Sequence, residues 1–391
     1  MNKKILTAAI TAALVAPTAV LAEVTVYGQM HMSLDYTNSG RTAVTYVPGT
    51  KTAERKSNLD VSSNSSRLGF KGSEDLGSGL KAVWQVESTV AVDEATGAGN
   101  ALGGRNTFLG LAGGFGTVLM GKHDTPFKML GRSLDPFGDT IADNRQLLGN
   151  TSKYAGLSGV GFDLRAPNVV AYITPNFSGF GAVLAYVSGV TANTLGADEN
   201  TLSAVSMNAT YTNGPIYAGL AYERHGLKEV GTQTATVQAK DPTAWRLGGS
   251  YTFGPAKVGA MYEQLKNVNL AAATAAATDT KRTGATLFGT YSFGMETVKL
   301  AYTMANKWKV GGVEAPGSDA SLLALGMDHN FSKRTTAYAQ YTKLTNKDGT
   351  GVAKVGAAGY SLGGGGGYGD AITGVAGDDP SSISVGMIHK F

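Results

Sequence analysis

The chain has 391 residues, a formal net charge of +4 and no cysteine. Two of the positives, Lys3 and Lys4, lie in the first 22 residues, which carry no acid, so the remainder stands at +2. That balance is no footprint for nucleic acid, and a chain without thiols is not a disulfide-stapled secreted domain. Glycine, at 54 residues, is about twice average usage, while proline is scarce. After residue 22 there is no run of 18 apolar residues to serve as a transmembrane helix, and no long helical periodicity.

The N-terminus reads MNKKILTAAITAALVAPTAVLA. Lys3 and Lys4 form a basic segment, and Ile5 to Val15 is apolar but short for a bilayer. Ala19-Val20-Leu21-Ala22 then supplies the small-x-small pattern that signal peptidase reads. The sequence therefore divides into a cleaved leader over 1–22 and one exported domain over 23–391.

From Glu23 to Tyr36 the residues alternate. Val24, Val26, Gly28, Met30, Met32 and Leu34 share one face; Thr25, Tyr27, Gln29, His31, Ser33 and Asp35 share the other. Such a strand separates an apolar medium from a wet one. The pattern returns with Leu68 and Phe70 against Arg67 and Lys71, then with Leu80, Ala82, Trp84 and Val86 against Lys81, Gln85 and Glu87. Later runs are Phe180 to Tyr186, Trp245 to Phe253 and Val298 to Thr303. Seven short turns rich in Gly, Asn, Pro and Ser join strands, beginning near Asp75, Gly113, Asn176, Asn213, Gly254, Gly294 and Ser332. Two strands per hairpin, with Glu23–Tyr36 before and Ser382–Phe391 after, predict sixteen strands.

The other connections are long and polar: 37–58, 88–104, 123–150, 188–201, 226–242, 267–280, 307–319 and 346–381. Short turns at one end and long loops at the other predict an all-β, 16-stranded antiparallel transmembrane β-barrel. Aromatics beside the short turns (Tyr172, Phe177, Phe180, Tyr211, Tyr251, Phe253, Tyr291, Phe293, Phe331 and Phe391) predict an interfacial girdle. The Ala/Thr-rich run at 270–278 and the Gly-rich run at 361–370 read as external loop. The latter has no following helix and no Lys-Ser/Thr, so it is not a phosphate cradle.

The run Ser66-Arg67-Leu68-Gly69-Phe70-Lys71-Gly72-Ser73-Glu74-Asp75-Leu76-Gly77 resembles the second hairpin of the Gram-negative general porins, in particular the β-proteobacterial trimeric type. Arg105-Asn106-Thr107-Phe108-Leu109-Gly110-Leu111 resembles the next hairpin. The block from Asn168 to Phe180 and the closing Val385-Gly386-Met387-Ile388-His389-Lys390-Phe391 are similar to further family segments. The resemblance implies a homotrimer in the cell outer membrane, in contact with outer-membrane lipid and lipopolysaccharide, with the third external loop folded into the lumen. It also implies that Phe391 is the aromatic end of the signal read by the outer-membrane assembly machinery.

The third loop is 123–150. Where family members often carry Pro-Glu-Phe-Gly, this chain has Asp135-Pro136-Phe137-Gly138-Asp139, with the acid before the proline. Asp135, Asp139 and Asp143 are spaced four apart, with Arg132 and Arg145 outside them, and are the candidates for an acidic loop face at the constriction. Arg67, Lys71, Lys81, Arg105, Lys122 and Arg165 are the candidates for the opposing basic wall; Arg67, Arg105 and Arg165 match the family's wall positions by motif. Ordinary solvated lumen residues would look the same.

No catalytic constellation emerges, and no enzyme activity, cofactor or metal is expected. His31, His123, His225, His329 and His389 are scattered without metal-ligand spacing. The expected function is a water-filled channel for passive diffusion of small hydrophilic solutes and ions, weakly anion-preferring because wall cations outnumber loop acids. The alternatives are a substrate-specific channel of the same fold, or a closed barrel acting as a surface adhesin.

Overall fold

The computed structural model describes residues 23–40, 57–93, 102–149, 161–188, 203–226, 240–268, 279–347, 359–363 and 377–391. The leader and the low-complexity run at 270–278 lie outside the described residues, as does most of the run at 361–370.

The first strand is β1 (Glu23–Asn38). The second, β2, comes in two segments, Ser57–Ser63 and Arg67–Gly77, that both pair with β1. Then follow β3 (Leu80–Thr89), β4 (Thr107–Gly113), β5 (Gly116–Asp124), β6 (Arg165–Ile173), β7 (Phe180–Val187) and β8 (Ser203–Asn213). The far half comprises β9 (Ile216–Gly226), β10 (Thr243–Phe253), β11 (Ala256–Lys266), β12 (Thr280–Phe293), β13 (Glu296–Ala305), β14 (Ala320–Asn330), β15 (Thr335–Asn346) and β16 (Ser381–Lys390). Each strand pairs antiparallel with the next, and β16 pairs back onto β1, from Gln29↔Lys390 to Asn38↔Ser381. Closure leaves no open edge, which is the condition for a sheet in lipid.

All seven short turns fall where the sequence places them, and the sixteen strands follow. Two details differ. The segment Ser57–Ser63 adds a stretch of β2 that begins inside the 37–58 loop and is not among the strands read from sequence, because Leu59 and Val61 are its only outward apolar residues. The 307–319 loop holds a small hairpin of its own, Lys309–Val310 against Val313–Glu314.

The strand alternation separates two surfaces. Val24, Val26, Leu109, Met120, Leu184, Leu247, Leu287, Leu300 and Val385 are exposed on the outside of the barrel. Their neighbours in sequence turn inward: His31, Arg246, Glu263 and Ser384 are fully buried. An apolar exterior and a polar interior invert a soluble protein, and they fit a barrel whose outer solvent is hydrocarbon. The aromatics form a band at the short-turn end. Phe177, Phe180, Tyr251, Phe253, Tyr291, Phe293 and Phe331 are all exposed, and several pack in pairs, such as Phe180 with Tyr211 at 4.4 Å between ring centroids.

At the C-terminus the Phe391 backbone exchanges two hydrogen bonds with Gly28, at 3.0 and 3.2 Å. The Phe391 ring lies over Gly28, where any Cβ would overlap it. A ring thus covers the seam where β1 and β16 meet.

Candidate functional site

The inward-folded segment begins directly after β5. Thr125 has extended backbone, Pro126 takes the first helical position, and the helix α1 runs Pro126–Ser133. Its residues divide by face. Phe127, Leu130 and Leu134 recur at helical spacing and are fully buried. Lys128 and Arg132, four residues apart, occupy the other face. Past the helix the loop continues through Phe137, Ile141, Leu147 and Leu148, all at most 2% exposed.

These apolar side chains seat on glycines of the facing wall. Leu130 covers Gly219 on β9, Leu134 covers Gly248 on β10, Leu148 covers Gly284 on β12, and Phe137 covers Gly326 on β14. A side chain at any of the four would collide with the residue it receives. Burial at these seats stabilises the docked loop by about 1.5–3 kcal/mol per side chain. Polar ties finish the attachment. Ser206 Oγ accepts from Phe127 N at 3.1 Å, and Asn208 Nδ2 donates to Pro126 O at 2.9 Å. At the far end Gly149 N donates to Glu263 Oε1 at 3.0 Å. Glu263 in turn bonds Arg246 and Arg282, while Arg246 also grips Asp163 through two bonds of 2.8 and 3.0 Å.

The docked loop leaves a polar cleft of about 230 Å³ against β2 to β6. It is lined by Arg67, Arg105, Lys128, Arg132, Arg145 and Arg165, with Glu87, Asp124 and Asp139 as its carboxylates. Six cations thus meet three carboxylates. Asp143, buried behind Arg145, is a fourth and leaves an excess of two positive charges among the described residues. The ion pairs form two clusters. Arg105 Nε meets Glu87 at 2.6 Å, and Arg67 lies 3.6 Å from Asp139 and 3.9 Å from Glu87. Arg165 and Lys128 share Asp124 at 3.0 and 2.9 Å.

Of the three loop acids, Asp139 is the one lining the cleft. Its backbone sits in the left-handed region at φ 63°, and its carboxylate lies between Arg132, at 2.6 Å, and Arg67. Burial opposes its ionisation, but Arg132 overcomes this and holds the carboxyl below its usual range. Asp143 turns into the loop, where it caps the helical turn Asn144–Gln146 and pairs with Arg145. Burial opposes its charge too, and Arg145 with Arg132 brings it down to about 2. Asp135 also turns inward and accepts from the backbone N–H of Phe137 and Asn144 at 2.9 Å each. Burial, then the adjacent Asp143, raises its carboxyl well above the carboxylate range. Asp135 and Asp143 therefore organise the loop rather than face the cleft, because their oxygens are engaged by the loop's own N–H groups.

On the wall, the structure brings together Arg67, Arg105 and Arg165. Lys71, Lys81 and Lys122 do not line this cleft. Lys71 is on the same face as Arg67 but four residues nearer the short turns, about 13 Å away, with its ammonium over the Tyr27 ring. Lys81 is farther still, opposite Asp75 beside the turn. Lys122 sits at a register shift between Gly121 and His123 and donates to Gly104 O at 3.4 Å. Sequence reasoning passes over Lys128, Glu87 and Asp124 as parts of this site. The spacing of Lys128 with Arg132, opposite Phe127, Leu130 and Leu134, is the signal that would have placed the helix and its basic face. No group of three or more His, Asp or Glu arranged for a metal occurs among the described residues.

A closed antiparallel barrel with an apolar exterior, an aromatic girdle and a loop folded into its lumen defines an outer-membrane barrel of the porin class. The family model for Gram-negative porins matches residues 7–349, and the chain belongs to that family. It is 33% identical over 253 residues to the major outer membrane protein P.IA of Neisseria meningitidis serogroup A, covering 58% of this chain and 59% of the relative. It is 31% identical over 227 residues to P.IB of Neisseria gonorrhoeae, covering 57% and 58%. The chain thus spans under two thirds of the length of these curated relatives. Among solved structures, it is similar to the anion-selective porin from Comamonas acidovorans, with a TM-score of 0.68, 25% identity, 95% of this chain and all of the other covered. The trimer form of OmpT from Vibrio cholerae has the same fold, with a TM-score of 0.62 at 17% identity, covering 95% of this chain and 99% of the other.

Proposed function

We propose that this barrel is a diffusion channel for small hydrophilic solutes and ions with a preference for anions, rather than an enzyme. The observation that carries the reading is the cleft itself, where six cations meet three lining carboxylates in about 230 Å³. An uneven ring of charge in a narrow wet passage raises the local concentration of the opposite ion. Arg67, Arg105 and Arg165 form its basic wall, and Asp139 with Arg132 its loop side. The anion selectivity of the Comamonas porin, named for that property, supports the same sign here.

The test is the reversal potential in a salt gradient across a planar bilayer. Anion preference is expected, and it should shift toward cations in Arg67→Glu or Arg105→Glu. Cation selectivity of the wild type, or no shift in either variant, overturns the reading. A barrel that conducts nothing points instead to a surface adhesin.

The same reading includes a homotrimer. Strands β4 and β7 have 7 and 8 residues, fewer than the roughly 9–11 that a tilted strand needs to cross the apolar band. A second copy against this low wall would complete the apolar girth, and OmpT of Vibrio cholerae, of the same fold, occurs in a trimer form. It also includes removal of residues 1–22, which N-terminal sequencing of the membrane-purified protein reads directly. Recognition of Phe391 by the assembly machinery completes it, and deletion of that residue should lower the assembled yield.

A further inference from the structure

The lumen carries a second cavity, on the short-turn side of the arginine cleft, and its chemistry differs from the first. It has a volume of about 410 Å³, and its walls include Val83, Phe108, Leu119 and Ile173, with Lys71 and His123 among its polar neighbours. Phe108, Leu119 and Ile173 belong to a continuous patch on the inner face. Leu119, Ala166, Val169, Ala171, Ala185, Val187 and Ala204 pack together across β5 to β8, with Phe108 and Ile173 half-buried against them. In a water-filled barrel the inner face ordinarily alternates to polar residues. Inner-face apolar residues on the facing wall, such as Met261, Phe288 and Leu322, pack with the buried side chains of the docked loop, whereas on this wall Phe108 and Ile173 stay half-buried and line the open cavity.

The two cavities are neighbours on the same strands. On β3, Glu87 lines the cleft and Gln85, two residues on with the same facing, lines the apolar cavity. Asn106 lines the cleft and Phe108 the apolar cavity; Asp124 lines the cleft and His123 the apolar cavity. Two residues along a strand are about 7 Å. Arg105 bonds Glu87 through Nε, and its terminal Nη donors carry no bond to any described residue. Guanidinium donors therefore stand about one small molecule's length above a half-exposed phenyl ring.

We propose that this pair of cavities is a composite site for organic monoanions with an apolar body. The carboxylate is held by Arg105 and Arg165, and an aromatic or branched aliphatic group lies on Phe108 and Ile173. This rests on the anion-preferring channel reading and narrows it: among anions of one charge and similar size, the channel favours amphipathic carboxylates over hydrophilic ones. Small hydrophilic anions pass through the cleft without using the lower cavity.

The experiment is a bi-ionic reversal potential with sodium 3-phenylpropionate on one side and sodium gluconate on the other. Wild type is compared with Phe108→Ser and Ile173→Thr, and chloride selectivity is measured on each. The wild type should favour phenylpropionate by about threefold to tenfold, as partial removal of a phenyl group from water predicts. Both variants should bring that ratio toward one with chloride selectivity intact. A wild-type ratio near one, or a ratio unchanged in both variants, overturns the proposal. If chloride selectivity is present and the phenylpropionate preference absent, only this inference fails. If the barrel does not conduct, the channel reading fails with it. Should Phe108→Ser not assemble, Ile173→Thr carries the comparison, since threonine suits a strand.

Discussion

The two halves of the inner wall use charge in opposite ways. Against β8 to β14 the loop is docked, and the charges there, Arg246, Glu263, Arg282 and Asp163, are at most 1% exposed in their side chains and paired with one another. Against β2 to β6 the loop stands off, and Arg67, Arg105 and Arg165 keep between 11% and 24% of their side chains in contact with solvent. The first set lies in a desolvated seam, where a lone charge is costly and the paired network fixes position. The second lies in a wet cleft, where the same pairs are weak in stability but strong in their effect on a passing ion. Position relative to the docked loop, rather than residue type, separates the buried, paired arginines from those that line the cleft.

That contrast breaks most visibly at Arg246. Arg246→Leu leaves Asp163 buried without its partner and Glu263 with Arg282 alone, and the loss should be about 3–5 kcal/mol, read as a lowered unfolding midpoint and as noisy single-channel currents from an undocked loop. A smaller effect is expected from Gly248→Val. Its side chain would meet Leu134, with the Ala260 carbonyl only 2.8 Å from the new Cβ. Overpacking there should cost about 1–3 kcal/mol and change conductance by moving the loop. If Gly248→Val leaves conductance as in wild type, the loop is not held by these seats.

On the opposite wall the ranking reverses between stability and transport. Arg105→Glu should shift the unfolding midpoint little, since a partly hydrated pair contributes about 0–1 kcal/mol. Its anion-to-cation permeability ratio should drop by about tenfold at low salt, because two unit charges are exchanged at close range. The drop should shrink as ionic strength rises and the Debye length falls below about 10 Å. A stability loss as large as that of Arg246→Leu would erase the distinction between the two walls.

The barrel was legible in the sequence because lipid on one side and water on the other impose a two-residue period, and short turns punctuate it. The outward set from Val24 to Val385 needed only parity. The site was legible in part. Arg67, Arg105 and Arg165 sit in strands or beside them, where parity decides facing. Lys71 and Lys81 satisfy the same parity, yet parity does not report height along the barrel axis, and they stand too near the short turns. For the loop acids the equal spacing of Asp135, Asp139 and Asp143 suggested equal roles. The fold assigns them different ones, because only Asp139 adopts the left-handed backbone that turns its carboxylate to the cleft. Nor does sequence show which glycines receive side chains: Gly219, Gly248, Gly284 and Gly326 are indistinguishable from other strand glycines until the loop is in place.

The smallest expected effect is a pH step in selectivity that belongs to Lys128. This ammonium lies on the basic face of α1, 2.9 Å from Asp124. Burial lowers its pKa to about 8, with Asp124 working against the shift and Arg165 and Arg145 adding to it. Below that value the cleft has its full set of six cations; above it Lys128 is neutral and the excess of positive charge falls by one. The arginines stay charged throughout, Asp139 and Asp143 are already ionised at neutral pH, their carboxyls being held low, and Asp135, which burial and Asp143 raise into the same range, is taken out of the comparison by measuring every channel in an Asp135→Asn background. Between pH 7 and pH 9 the anion-to-cation permeability ratio should therefore fall, by about twofold to threefold for one unit charge in a wet cleft. Lys128→Met should start at the lower ratio and stay there across the same range. A ratio that is flat in Asp135→Asn with Lys128 present, or a step that survives when Lys128→Met is added to it, would remove Lys128 from the set of charges that passing ions feel. The basic side of the cleft would then be the work of the arginines alone.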